Sequence, residues 1–143
     1  MKTLKGIDKK LDDVCRELCK ERADWTCEKC GKQFPERKGG GLDWSHFYGR
    51  RARGTRWDMD NCAAHCCGCH SWLGANPIEF GLWIEGHLGE VRKSLVMARF
   101  HRPMKFYKAD KEDMLLHYQS ELIILKQKRM EGKQGFVEVV NWF

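Results

Sequence analysis

Two pairs of cysteines have the spacing of a metal site. The pairs are Cys27–Cys30 and Cys66–Cys69, and each encloses two residues. Two such pairs can hold one ion from two tight turns, and thiolate sulfur is a preferred ligand of Zn²⁺. The sequence therefore predicts a structural zinc site, with structural disulfides or free thiols as the alternatives. Cys62 and Cys67 are close enough in sequence to compete as ligands.

Three polar residues beside these cysteines have types that suit phosphodiester hydrolysis. They occur in the order His46, Asn61, His70, which is the order of the His-Asn-His nucleases. A neutral imidazole can take a proton from an attacking water, and a divalent cation neutralises the charge that builds on the phosphate. His70 is predicted to bind that cation from the first turn of a zinc-anchored helix. Asn61 is predicted to tie two strands together through its side-chain amide.

Four arginines lie in one loop that has no acidic residue between Phe47 and Trp57. They are Arg50, Arg51, Arg53 and Arg56. Guanidinium groups bind phosphates as planar forks, so we expect this loop to contact DNA, although a solvated charged surface is the alternative. The formal net charge of +6 favours the first interpretation. Further basic residues follow at Arg92, Lys93, Arg99, Arg102 and Lys105.

Other side chains near these motifs have two interpretations each. The tryptophans either stack on unpaired bases or lie in the core; they are Trp44, Trp57 and Trp72. His65 is either a zinc ligand or a surface residue. No site is assigned to the remaining histidines, His87, His101 and His117.

The 143 residues are sufficient for one domain, 1–143, and contain no apolar run long enough for a membrane span. The charged N-terminus lacks the apolar region of a signal peptide, so we expect an intracellular protein.

An amphipathic helix over 4–22 is predicted to bury Cys15 and Cys19. The 25–75 core should contain strands over 42–46 and 61–65 and a short helix beginning near Cys69. Helices are predicted over 76–130, the first from Asn76-Pro77 to Gly89 and the last from about Ala109 to Met130. In the tail over 131–143, apolar and polar residues alternate as they do in a strand.

These motifs resemble the phage NinG (Rap) recombination endonucleases. The resemblance rests on Ser45–Arg51, Thr55–Asp58, Asn61 and Cys66–Cys69, and it extends over roughly Leu4–Arg129. The wider class that the chain is similar to is the HNH, or ββα-metal, nuclease with a four-cysteine zinc knot. The resemblance implies an α+β fold, with a small zinc-stabilised ββα-metal core between N- and C-terminal helices.

The resemblance also implies a function and a set of roles. The protein would be a phage enzyme of the host cytoplasm that cleaves branched DNA, such as Holliday junctions and D-loops. His46 would be the general base, Asn61 the brace of the hairpin and His70 the ligand of a catalytic Mg²⁺ or Mn²⁺. Many HNH nucleases carry an aspartate directly before the base, whereas this chain has Ser45, whose hydroxyl is a weaker ligand. The ion could therefore also use Asp43 or Asp58.

Two alternative functions stay open at this stage. One is an HNH nicking or restriction-like endonuclease that acts on duplex DNA, and the other is a zinc module that binds DNA without cleaving it. Symmetric cleavage of a junction needs two active sites. A homodimer is therefore expected, formed through the apolar side of the last helix, with residues Met114, Leu115, Tyr118, Leu122 and Leu125.

Overall fold

A computed structural model describes residues 6–143, which form five α-helices and one two-stranded antiparallel sheet. In chain order the elements are α1 (Ile7–Arg22), β1 (Leu42–His46), β2 (Cys62–Cys66), α2 (Cys67–Ala75), α3 (Pro77–Leu88), α4 (Glu90–His101) and α5 (Lys108–Met130). The predicted α+β class is confirmed. None of the described helices is long and apolar enough to cross a lipid bilayer.

The core forms where α1 packs against α5. Apolar side chains recur at helical spacing on α1, so one side of that helix is buried, including Cys15 and Cys19 as predicted. From α5, Met114, Tyr118 and Leu125 fill the same core. The predicted dimer interface needs correction for this reason, because these three residues are already buried within the chain. The predicted start of the first helix at residue 4 lies outside the described residues.

The sheet pairs β1 with β2 so that Leu42 lies opposite Cys66 and His46 lies opposite Cys62. The second strand begins one residue later than predicted, because Asn61 ends a 3₁₀ turn over Met59–Asn61. Helix α2 begins at Cys67, two residues earlier than expected. The Cys66 sulfur accepts a hydrogen bond from the backbone N–H of Cys69 and so caps the first turn of α2.

Three helices follow α2, whereas the sequence predicted two. The missed helix is α4, which begins directly after Gly89. This glycine has φ +85°, a conformation that lets it end α3 and start α4 without a longer loop. Ion pairs from Arg92 to Asp60 and from Arg99 to Asp58 then anchor α4 to the segment before β2.

The tail 131–143 forms no strand, despite its alternating sequence. It runs back over the core instead: the backbone N–H of Val137 donates to the carbonyl of Arg22 at the end of α1. The Asn141 side chain accepts from the N–H of Met59 and donates to Asp58. The tail therefore stabilises the segment that leads into β2.

Candidate metal and catalytic centre

Four cysteines converge at one end of the sheet. Cys27 and Cys30 come from the turn after α1, Cys66 ends β2, and Cys69 lies in the first turn of α2. Their four sulfur atoms all lie within 4.8 Å of one another, and the Sγ atoms of Cys30 and Cys66 are 3.7 Å apart. Sulfurs bound tetrahedrally to Zn²⁺ at about 2.3 Å are about 3.8 Å apart, so the cluster fits zinc.

The competing cysteines are excluded by their positions. Cys67 is exposed and does not belong to the cluster, whereas Cys62 is buried beside α1 and the guanidinium of Arg22. The predicted set of four cysteine ligands is therefore confirmed. Within residues 6–143, these four form the one group of three or more metal-binding side chains that lie close enough to share an ion. Disulfides are not formed in the described chain, since all eight cysteines are free thiols.

The turn that carries the first cysteine pair favours a thiolate. Burial raises the pKa of Cys27, but backbone N–H groups in the Cys30 turn outweigh this effect and lower the pKa to about 7. Burial and the neighbouring thiols raise the pKa of Cys69 to about 12. A cation at the centre of the cluster would offset the repulsion between thiolates, which is how zinc sites hold deprotonated cysteines.

Asn61 braces the loop between the strands. Its side chain is fully buried, accepts a hydrogen bond from the N–H of Tyr48 and donates to the carbonyls of Tyr48 and Thr55, with distances of 2.8 to 2.9 Å. One amide thus satisfies three backbone groups on both sides of the arginine loop. The predicted bracing position is found, although the groups it joins belong to the loop rather than to the opposite strand.

His46 ends β1 with its ring fixed by that loop. Its Nε2 lies 3.1 Å from the carbonyl oxygen of Arg56, which can only accept, so in the neutral ring Nε2 carries the proton and Nδ1 the lone pair. The ring also contacts Trp44 edge to face at 4.2 Å between centroids. Burial, reinforced by the positive charge of Arg50, lowers the pKa of His46 to about 4. His46 is therefore neutral at pH 7.

His70 lies in α2, where its Nδ1 is 2.9 Å from Oδ2 of Asp43 on β1. The Asp43 and His70 side chains are 39% and 43% exposed, so an ion from solvent can reach the pair. Side chains alternate along a strand, which places Asp43 and Ser45 on one side of the sheet and His46 on the other. No hydrogen bond or ion pair joins His46 to His70, so the structure does not bring the predicted base and metal ligand into contact.

Asp58 needs correction as a candidate metal ligand. Its side chain is buried; Oδ2 bonds to Arg99, and Oδ1 accepts from Asn141 and from the N–H of Asp60. Its lone pairs are thus used within the fold. Ser45 is also buried, and its hydroxyl has no hydrogen-bond partner among the described residues.

The four loop arginines divide into two groups. Arg56 is buried and forms a two-bonded ion pair with Asp12 of α1, at 2.9 and 2.6 Å, so the prediction that it contacts DNA needs correction. Arg53 pairs with Asp8 and remains half exposed. Arg50 and Arg51 are exposed and have no ion-pair partner in the 6–143 part of the chain.

The arginine loop rests on α4. Tyr48 stacks on Phe100 at 3.9 Å between ring centroids, and Gly54 touches Pro103 so closely that a Cβ there would lie 2.6 Å from the Cβ of Pro103. This packing places the exposed Arg102, next to Pro103, beside the loop. The exposed Arg50, Arg51, Arg53 and Arg102 therefore form a basic surface, and sequence reasoning had named each of them.

The structure decides several predictions that the sequence left open: Trp44 and Trp57 lie in the core, as one of their two interpretations expected. Trp57 is fully buried, with its Nε1 bonded to Asp12, whereas Trp72 is 47% exposed. His65 is fully buried and lies outside the zinc cluster, so it is neither a zinc ligand nor a surface residue. Sequence reasoning missed Asp12, because its partner Arg56 is 44 residues away and no local pattern links them.

No family model, curated protein or solved structure matches the chain. The resemblance to the phage recombination nucleases therefore rests on the sequence motifs alone.

Proposed function

We propose that the protein is a metal-dependent DNA endonuclease of the HNH type, which acts on branched recombination intermediates. The observation that carries this proposal is the neutral His46, whose ring is held through Nε2 by a loop that Asn61 braces and that carries exposed arginines. A neutral imidazole next to a phosphate-binding surface is the arrangement that water-activated cleavage of DNA requires.

The tautomer of His46 supports its role as the base. The carbonyl of Arg56 holds the proton on Nε2, so Nδ1 can take a proton from water while the resulting hydroxide attacks phosphorus. The bond from phosphorus to the leaving oxygen then breaks, and that oxygen takes a proton from solvent. A pKa of about 4 keeps His46 unprotonated in neutral solution, although it also makes the imidazole a weaker base.

Asp43 and His70 are the residues that would hold the catalytic ion, Mg²⁺ or Mn²⁺. They offer one carboxylate oxygen and one imidazole nitrogen, a donor pair that suits a divalent cation. Such an ion would neutralise the charge that builds on the phosphate. Asp43 and His46 are three residues apart on β1, which corresponds to about 10 Å at 3.3 Å per residue. Because the two groups also lie on opposite sides of the sheet, a scissile phosphate that is within reach of both would have to lie at an edge or end of the sheet.

The basic surface supports binding through the phosphate backbone. Arg50 and Arg51 are exposed and have no ion-pair partner among residues 6–143, and Arg102 extends the positive surface along the adjoining chain. Phosphate contacts of this kind position the nucleic acid without reading its sequence. The preference for branched DNA follows from the family resemblance and is the part of the proposal that a substrate comparison tests.

The experiment compares cleavage of a synthetic four-way junction and a linear duplex of the same sequence, with Mg²⁺ or Mn²⁺. We expect the wild type to cleave the junction and His46→Ala to lose at least about a hundredfold in rate, as removal of a general base does. The matched control is His101→Ala, which changes an exposed histidine of α4 and should cleave normally. Normal cleavage by His46→Ala would refute the proposal, and equal cleavage of both substrates would favour the duplex-specific alternative.

A zinc module that binds DNA without cleavage is the second candidate. The observation that favours it is the hydroxyl of Ser45, buried where many HNH nucleases carry a metal-binding aspartate. Multiple turnovers of nicking that depend on added metal would exclude this candidate. Binding of the junction without any cleavage would support it.

A further inference from the structure

One side of helix α1 lies beside the arginine loop and strand β1. Its polar residues recur every four positions, which places them in one row along the helix. They are Asp8, Asp12, Arg16 and Lys20. The two acids hold loop arginines, since Asp8 pairs with Arg53 and Asp12 pairs with Arg56. The two cations follow further along α1, where the row reaches β1.

Arg16 lies close to the candidate base. Its guanidinium is 5.5 Å from the ring centroid of Trp44, and that of Arg50 is 6.0 Å from the same centroid. The Trp44 and His46 rings are 4.2 Å apart between centroids. Arg16 is therefore within about 10 Å of His46, and the two guanidinium groups are at most about 12 Å apart. Arg16 also pairs with Asp13 at 3.1 Å, but an ion pair as exposed as this one contributes little.

Lys20 continues the row toward the Asp43–His70 pair. Its ammonium lies 5.5 Å from the ring centroid of Trp25 and has no ion-pair partner in the 6–143 part of the chain. Burial lowers the pKa of Lys20, the positive charge of Arg16 lowers it further, and the charge of Asp43 acts in the opposite direction. Lys20 is thus near enough to both groups for their charges to act on it. Neighbouring cations that share one exposed carboxylate attract a further anion.

We propose that Lys20, Arg16 and Arg50 form a row of cations that binds successive phosphates of one DNA strand along the unpaired edge of β1. The sheet of the described chain has two strands, so β2 covers one edge of β1 and leaves the other unpaired. Helix α1 packs against the Trp44 side of the sheet, and the unpaired edge is the route from there to Asp43 on the other side. Binding by the row is independent of catalysis, whereas cleavage of the bound strand rests on the proposed function.

The length of the row suits a short piece of DNA backbone. Asp43 and His46 are about 10 Å apart along β1, which corresponds to about three phosphates at the 3.4 Å rise per strand of B-DNA. Arg16 and Arg50 offer planar forks to a phosphate, and Lys20 offers a point charge. One strand that follows this edge would pass first one candidate catalytic group and then the other.

The first test measures binding of a synthetic four-way junction to zinc-loaded protein over a range of salt concentrations, without Mg²⁺ or Mn²⁺. Arg16→Gln and Lys20→Gln should each weaken binding about tenfold at low salt. The slope of the logarithm of the binding constant against the logarithm of the salt concentration should become shallower by about one unit in each. The matched control is Lys10→Gln, which removes an exposed lysine of the same helix and should change neither quantity. An unchanged slope in either of the two variants would overturn the inference.

The second test uses the wild-type protein, so it does not depend on the folding of a variant. Bound junction should protect Lys20 from acetylation by a water-soluble reagent, as measured by mass spectrometry of the digested protein. Lys10 should be acetylated equally with and without DNA. Equal acetylation of Lys20 in the two states would overturn the inference.

Methylphosphonate replacement of single phosphates then locates the row on the DNA. At the phosphate that Arg16 contacts, loss of the charge should abolish the effect of Arg16→Gln, whereas an equal effect at every phosphate would overturn the inference. Cleavage is measured separately. Binding by the row without cleavage would refute the proposed function and keep the row. Cleavage together with normal binding by Arg16→Gln and Lys20→Gln would keep the function and refute the row.

Discussion

Replacement of Arg56 by alanine distinguishes an arginine that holds the fold from those that could hold DNA. The Arg56 guanidinium donates two hydrogen bonds to Asp12 and a third to the carbonyl of Arg50, at 2.6 to 2.9 Å. Its side chain is 10% exposed and that of Asp12 is 6% exposed. Arg56→Ala leaves the Asp12 carboxylate buried, with only the indole N–H of Trp57 as a side-chain partner.

The size of the effect follows from this burial. Removal of one partner from a buried ion pair costs about 3–5 kcal/mol, because the remaining charge is neither hydrated nor paired. Domains of this kind have free energies of unfolding of about 5–15 kcal/mol. Arg56→Ala should therefore remove about a fifth or more of the stability. Simultaneous replacement of Asp12 and Arg56 by apolar residues should recover much of the loss, since no unpaired charge remains.

Urea unfolding, followed by tryptophan fluorescence, measures this loss of stability as a decrease in the midpoint urea concentration, with an unchanged dependence of the free energy of unfolding on urea concentration. The control is Arg51→Ala, which removes an exposed guanidinium from the same loop and should leave the midpoint unchanged. Arg51→Ala should instead weaken DNA binding. The slope of the logarithm of the DNA-binding constant against the logarithm of the salt concentration should become shallower by about one unit. A midpoint for Arg56→Ala equal to that of the wild type would show that the ion pair with Asp12 does not stabilise the fold.

The remaining predictions concern zinc, the loop brace and pH. Cys30→Ser should lose bound zinc, measured by elemental analysis, whereas Cys67→Ser, an exposed cysteine outside the cluster, should retain it. Asn61→Ala should cost about 3 kcal/mol in urea unfolding, because three loop backbone groups lose their partner; a cost below 1 kcal/mol would contradict the bracing role. The folded-state pKa of His46 is about 4, against about 6.5 in an unfolded chain. The unfolded state therefore binds more protons between these values, so the contribution of His46 to the free energy of unfolding should fall by about 3 kcal/mol as the pH decreases from 6.5 to 4. The pKa of the buried His65 is also lowered to about 4, so that histidine adds a decrease of its own. His46→Gln should show a shallower decrease, and an unchanged pH profile in this variant would disprove the lowered pKa.

Local sequence signals predicted the elements with strong periodicity or distinct end signals. The apolar spacing of α1 and α5 and the Asn76-Pro77 start of α3 were sufficient for those helices. Helix α4 was missed because its exposed apolar residues give it no clear buried side; of its residues, only Val96 is buried. The alternation of the tail indicated a strand, but the tail finds its partners in Arg22 and the loop before β2.

The sequence by itself determined the four cysteines of the metal-binding cluster, because the spacing of a cysteine pair is a local property of a tight turn and survives any arrangement of the rest of the chain. It also placed His46, Asn61 and His70 at the ends of adjoining elements. Only the tertiary structure decided which charges remain free. Arg56 and Asp58 are indistinguishable from their neighbours in sequence, yet Asp12 and Arg99, each more than forty residues away, neutralise them. The same long-range packing buried His65 without a partner opposite Asp43, because cross-strand pairing depends on register and not on sequence proximity.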